Sequence, residues 1–190
     1  MKTGLLTLLL LVLSGTVFPC RAQPRVDVRR IDSTVTRFLK EAKVPGAAIA
    51  VLKRGELLYV GAYGFSNLEL NTLVSQKTVF ELASLTKQMT AALVVTLAHE
   101  RKLSLEDKLV AYVDDAPAAW NPITVRQLLG HMAGLEMAFE PKMNGSYLLN
   151  YSKEVMLKAA KETPMHSTPG TDWEYSDEGY FLAGVVVEKA

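Results

Sequence analysis

The 190-residue sequence has little of several things: one cysteine, three histidines, two tryptophans and almost no net charge, with 21 Lys and Arg against 20 Asp and Glu. Each scarcity removes a class of protein. A single cysteine, Cys20, excludes a disulfide framework and a cysteine-built zinc site. No two histidines stand at ligand spacing, so no metal is expected. A net charge of +1 without a basic block argues against nucleic acid as a partner, because that binding rests on neutralising many phosphates. No apolar run reaches the length of about 20 residues that a stable membrane span needs. What is left, 49% hydrophobic residues with 12 Gly and 8 Pro, is an ordinary globular composition with enough apolar residues for a core.

The longest apolar run lies at the amino end. Met1–Thr3 carries one positive charge, Gly4–Leu13 is nearly all Leu and Val, and Cys20-Arg21-Ala22 places a small residue before Gln23. That is the layout of a secretory signal, so residues 1–22 are expected to be a cleaved leader and the protein secreted or periplasmic. Cys20 raises the alternative of a lipoprotein anchor, which the bulky Val17-Phe18-Pro19 before it disfavours. Without residues 1–22 the chain keeps 19 basic and 20 acidic residues and no cysteine, as suits an oxidising exterior.

Residues 23–190 read as helices around a short sheet. Asp32 is the expected cap of a helix through Val35, Phe38 and Leu39 that ends near Lys43. Gly46–Leu52 and Leu57–Tyr63, joined by Lys53-Arg54-Gly55-Glu56, predict a β-hairpin. Phe80–Ala83 leads into a long helix whose Leu85, Met89, Ala92, Leu93 and Leu97 fall at helical spacing. Further helix starts are expected at Ser104 (with Asp107), Thr124 (with Gln127) and Ser152 (with Glu154), and a last helix from near Asp177. Two strands alone make a marginal sheet, so the sequence reads as an incomplete domain.

Of ten serines only Ser84 has a lysine three residues on, in Ser84-Leu85-Thr86-Lys87. At a helix start that spacing stacks Lys87 one turn above Ser84 on the same face. The hydroxyl then lies near unpaired amides and the positive end of the helix dipole, which favour a developing oxyanion. A serine needs a neighbour to take its proton, and Lys87 can do so if burial lowers its pKa. Read alone, the same residues also fit a capping serine and a solvated lysine. Far along the chain, Pro169-Gly170-Thr171-Asp172-Trp173-Glu174-Tyr175-Ser176-Asp177 places Tyr175 at a loop-to-helix junction, where a phenol can join a proton relay or simply pack in the core.

Taken together and in order, these segments resemble the serine β-lactamase and penicillin-binding-protein-like hydrolases of the class C type. The first is Phe80–Val113, with Ser84-Leu85-Thr86-Lys87, Leu103-Ser104-Leu105-Glu106-Asp107 and Tyr112; the second is Ile123–Leu135 with Gly130-His131-Met132-Ala133-Gly134; the third is Pro169-Gly170 through Tyr175-Ser176-Asp177 and Gly179-Tyr180. The resemblance covers residues 25 to 190. It implies an α+β fold, an antiparallel sheet flanked by helices with an inserted helical subdomain, incomplete in this chain. It also implies a small-molecule or peptide substrate and no cofactor. Ser84 would attack an acyl carbonyl to form an acyl-enzyme, Lys87 would hold or accept the proton, and Tyr175 would relay it to the leaving group.

Two departures qualify this expectation. Asp177 stands where the family often has Asn; as a substrate-binding residue an ionised Asp only accepts hydrogen bonds, and near Lys87 it favours the ammonium, leaving more proton transfer to Tyr175. That points to an ester or peptide substrate rather than efficient β-lactam turnover. The family's third element, Lys-Thr-Gly or His-x-Gly on a strand, is absent from these residues. Losing one oxyanion donor alone costs about 10²- to 10³-fold, so this chain is expected to be a poor or inactive enzyme of low stability. The alternative is a truncated, inactive member acting as a binding or regulatory module. His131 is expected to pack or bond within its loop, and Met132, Met137 and Met143 to belong to core.

Overall fold

The computed structural model describes residues 26–136 and 151–190. The expected leader, and Met137 and Met143, lie outside the described residues. The chain forms two compact units, one up to Phe80 and one from Glu81 onward.

The first unit is a helix and a small antiparallel sheet. Helix α1 spans Val28–Ala42, and Lys43 closes it in the left-handed conformation (φ 54°). Strands β1 (Gly46–Lys53), β2 (Glu56–Asn67) and β3 (Thr72–Leu73) follow in the order β1-β2-β3. Lys53 pairs with Glu56, so Arg54 and Gly55 are the two turn residues, both at positive φ (51° and 79°), the geometry that matches the twist of a hairpin. The hairpin forms as the sequence predicts, and the third strand is new. The predicted cap is corrected. Asp27, not Asp32, caps α1 by accepting from the Arg30 N–H at 3.1 Å. Asp32 lies inside the helix, where its Oδ1 accepts from the phenols of Tyr59 (2.8 Å) and Tyr63 (2.6 Å) on β2. Those two bonds hold its carboxyl below the usual range.

The second unit contains nearly all of the core. Helices α2 (Thr86–His99), α3 (Val125–Leu129), α4 (Lys153–Lys161) and α5 (Asp177–Lys189) surround a cluster including Val94, Leu109, Trp120, Ile123, Leu128, Leu182 and Val186, each at most 1% exposed. The α+β reading therefore holds, with an antiparallel sheet in one unit and helices in both. Thr124 makes the predicted capping box with Gln127, and Ser152 caps α4 by accepting from Val155 N–H. Ser104 starts no helix. Asp107 turns back to accept from the Ser104 N–H (2.7 Å) and from the Tyr112 phenol (2.6 Å), which fixes a turn.

Helix α2 differs from expectation in its buried face. Leu85, Met89 and Leu93 are more than half exposed, whereas Val94 is fully buried and Leu97 and Ala98 pack against the core. Apolar residues lie nearly all round this helix, so spacing alone does not choose a face.

Candidate active site

Ser84 sits in a 3-10 turn, Ala83–Leu85, that leads directly into α2. Ala83, the residue before it, is held at φ 45°, a region that non-glycine residues seldom occupy. The turn uses amides that the sequence left unpaired: Leu85 N–H donates to the Leu82 carbonyl at 3.1 Å, and Thr86 N–H donates to Ala83 and Ser84 carbonyls. These two amides are engaged within the turn itself. Lys87, in the first turn of α2, lies over Ser84 as its spacing requires.

The four residues singled out in the sequence meet in this unit. Lys87 Nζ donates to Ser84 Oγ at 3.2 Å and to Asp177 Oδ1, and the Tyr175 phenol donates to Ser84 Oγ at 2.6 Å. Lys87 Nζ also stands 4.7 Å from the centre of the Tyr175 ring and 5.7 Å from that of Tyr180. Ser84 and Tyr175 are 91 residues apart, and Lys87 and Asp177 are 90 apart, so tertiary structure alone unites them.

Their protonation follows from the contacts. Partial burial pushes the Lys87 ammonium down, but its bonds to Asp177 and Tyr175, with the Asp177 charge, outweigh burial and leave its pKa above the usual lysine value. Tyr175 moves the opposite way. The hydrogen bonds from Lys87 and then Ser84 stabilise its phenolate and lower its pKa. The pair is thus a retained cation beside an acidified phenol.

The segment after α3 supports this arrangement. The carbonyl of His131 accepts from Glu174 N–H (2.9 Å), that of Met132 from Gly170 N–H (2.8 Å), and that of Gly134 from His166 N–H (2.8 Å). Three anchors of this kind, in antiparallel order, place the loop before α5. Ser176 then caps α5, its hydroxyl accepting from Gly179 N–H at 2.9 Å, which makes Asp177 the first helical residue and turns it toward Lys87. The sequence suggests that His131 packs or bonds within its loop. Its ring contacts with Trp173, Tyr175 and Tyr180 had no local signal, because a non-glycine residue at φ 57° is not visible in residue order. Trp173 is 66% exposed.

Among the described residues no cluster of three or more His, Cys, Asp or Glu could hold a metal, and no helix is long and apolar enough to cross a membrane.

Comparison with known proteins agrees with the motif order. The chain is 27% identical over 164 residues to protein flp of Staphylococcus aureus, covering 84% of this chain and 33% of that protein. It is 27% identical over 176 residues to esterase EstB of Burkholderia gladioli, covering 85% of this chain and 45% of EstB. The structure is similar to the octameric penicillin-binding protein homologue from Pyrococcus abyssi, with a TM-score of 0.73 and 28% identity over 86% of this chain and 39% of that one. The chain thus spans between a third and a half of the length of these relatives. The Beta-lactamase family model matches residues 31–190, the stretch that carries Ser84, Lys87, Tyr175 and Asp177, and the chain accordingly belongs to the beta-lactamase family.

Proposed function

We propose that the chain carries the reactive centre of an exported serine hydrolase that forms an acyl-enzyme on Ser84. The observation that carries this reading is the position of Ser84 Oγ, 2.6 Å from the Tyr175 phenol and 3.2 Å from Lys87 Nζ. A serine hydroxyl needs a base in hydrogen-bond reach, and both candidates are there. Lys87, held as an ammonium by Asp177, has little free amine to act as a base, whereas Tyr175, its pKa lowered, reaches its basic phenolate form more readily.

Tyr175 as phenolate takes the Ser84 proton while Oγ bonds to the acyl carbon and the carbonyl pair moves onto its oxygen. When the tetrahedral adduct collapses, the bond to the leaving group breaks and Tyr175 returns the proton to that group. In the second half a water gives its proton to Tyr175 and attacks the ester carbon, and Ser84 leaves by regaining the proton. Lys87 stays an ammonium throughout and holds both oxygens in place.

Asp177 supports an ester or peptide substrate over a β-lactam. One of its oxygens is engaged by Lys87, and neither can donate to a substrate carbonyl. EstB, by name an esterase, is among the relatives. The test is hydrolysis of a p-nitrophenyl ester and of a chromogenic cephalosporin by the wild-type chain and Ser84→Ala. Ester cleavage, slow but lost in Ser84→Ala, supports the reading; rapid cephalosporin turnover overturns the substrate assignment. A folded wild-type chain no more active than Ser84→Ala corresponds to the binding module. Export is tested separately, by an exported form beginning at Gln23.

A further inference from the structure

We infer that His131 is a positioning residue for Tyr175, acting as a neutral imidazole that clamps the Tyr175-Ser176 junction from two directions. The inference rests on the proposed role of Tyr175 and adds a residue that does not touch Ser84.

The first direction is a hydrogen bond. His131 Nδ1 accepts from the Ser176 N–H at 3.1 Å. A nitrogen that accepts carries no proton, so the ring proton of the working form is on Nε2. The second direction is the ring face. The imidazole stacks on the Tyr175 ring at 4.7 Å between centres and 28° between planes. Tyr180 lies at 5.1 Å and Trp173 meets it edge-on at 5.9 Å, so the ring is confined on several sides. The His131 carbonyl adds the bond from Glu174 N–H. One residue therefore touches positions 173 to 176 and 180, the segment that carries both Tyr175 and the cap of α5. Its backbone is held left-handed, which aims the carbonyl and the ring at the same loop.

Protonation of the imidazole converts the Nδ1 acceptor into a donor facing another donor, and puts a cation beside Lys87. The groups that face the ring are Lys87 on α2, Asp177 on α5 and the phenols of Tyr175 and Tyr180; the nearby Glu174 carboxylate lies 2.8 Å from His166 Nε2. Burial first, and then the Lys87 charge, disfavour the imidazolium, against a smaller opposing pull from Asp177, so neutrality persists below the ordinary histidine range. The clamp is consequently closed at neutral pH and opens in acid.

The experiment has a spectroscopic arm and a kinetic arm. Long-range proton–nitrogen correlation spectra of the wild-type chain read the tautomer without requiring activity: Nε2–H with a bare Nδ1 is expected, and an Nδ1–H tautomer overturns the inference whatever the kinetics show. The kinetic arm follows labelling of Ser84 by a fluorophosphonate against pH in wild type, His131→Asn and His131→Phe. Asn tolerates the left-handed backbone and keeps an acceptor for Ser176, whereas Phe keeps the ring face and removes the acceptor. The wild-type rate falls more steeply in acid as His131 protonates. This lower break disappears in His131→Asn, which labels at least about tenfold faster than His131→Phe, the scale expected when a reacting group shifts by a fraction of an ångström. Equal rates and unchanged profiles in both variants overturn the inference. If labelling does not depend on Ser84, the proposed hydrolase fails instead, and the tautomer result stands apart from that failure.

Discussion

On the proposed reading, Tyr175 and Lys87 divide the work that the motif alone assigns to either. Removing the phenol oxygen in Tyr175→Phe leaves the ring stack intact and takes away the base, so acylation of Ser84 should fall by about 10²- to 10⁴-fold with the fold preserved. The pH dependence follows from the direction of the Tyr175 shift. Its pKa is below the ordinary 10.0 and the reactive phenolate exists above that pKa, so the acylation rate should rise with pH and reach half its plateau below pH 10. Lys87→Met deletes the largest influence lowering that pKa, so the plateau should move to higher pH; a plateau at the wild-type pH assigns the base to another group.

The elements of the second unit make two measurable claims. Thr124→Ala removes the side-chain half of the α3 capping box and should cost about 1 kcal/mol in denaturant unfolding. Gly134, at φ 69°, would place an added Cβ 2.2 Å from the Ser167 carbonyl oxygen, so Gly134→Ala should be strongly destabilising and should detach the loop that carries Tyr175. Gly184→Ala, inside α5 with nothing within 4 Å, is the control and should be neutral or slightly stabilising. Element by element, what the sequence made legible was local. Thr124, Ser152 and the start of α5 were readable because a cap acts within three residues. Asp32 was misread because its true partners, Tyr59 and Tyr63, are 27 and 31 residues away. Ser104 and Asp107 form the same short-range bonds in a turn as at a helix start, so the pattern did not distinguish them. The four candidate site residues were singled out through motif order, whereas the aromatic contacts of His131 needed the fold to exist first.

Among the described residues, two carboxylate–phenol pairs tie stability to pH. Burial first, and then the bond to Asp107, push Tyr112 up to about 12, from a usual 10.0, and Tyr63 is raised in the same way beside Asp32. A raised phenol binds its proton more tightly in the folded chain, so this stability is complete below pH 10 and is lost as pH rises toward 12. Asp32 and Asp107 are lowered, so their contribution is complete above the unfolded carboxylate range and is lost as pH falls below it. Thermal melts should show both limbs, and Tyr112→Phe should flatten the alkaline one. Membership of the beta-lactamase family rests on residues 31–190, while the proposed reaction rests on one serine. The measurement that tests it most directly is peptide mapping by mass spectrometry after incubation with a fluorophosphonate. A single adduct on the peptide containing Ser84, slow to form and missing in Ser84→Ala, is the predicted result; an adduct on another residue, or none on Ser84 in the folded chain, contradicts it.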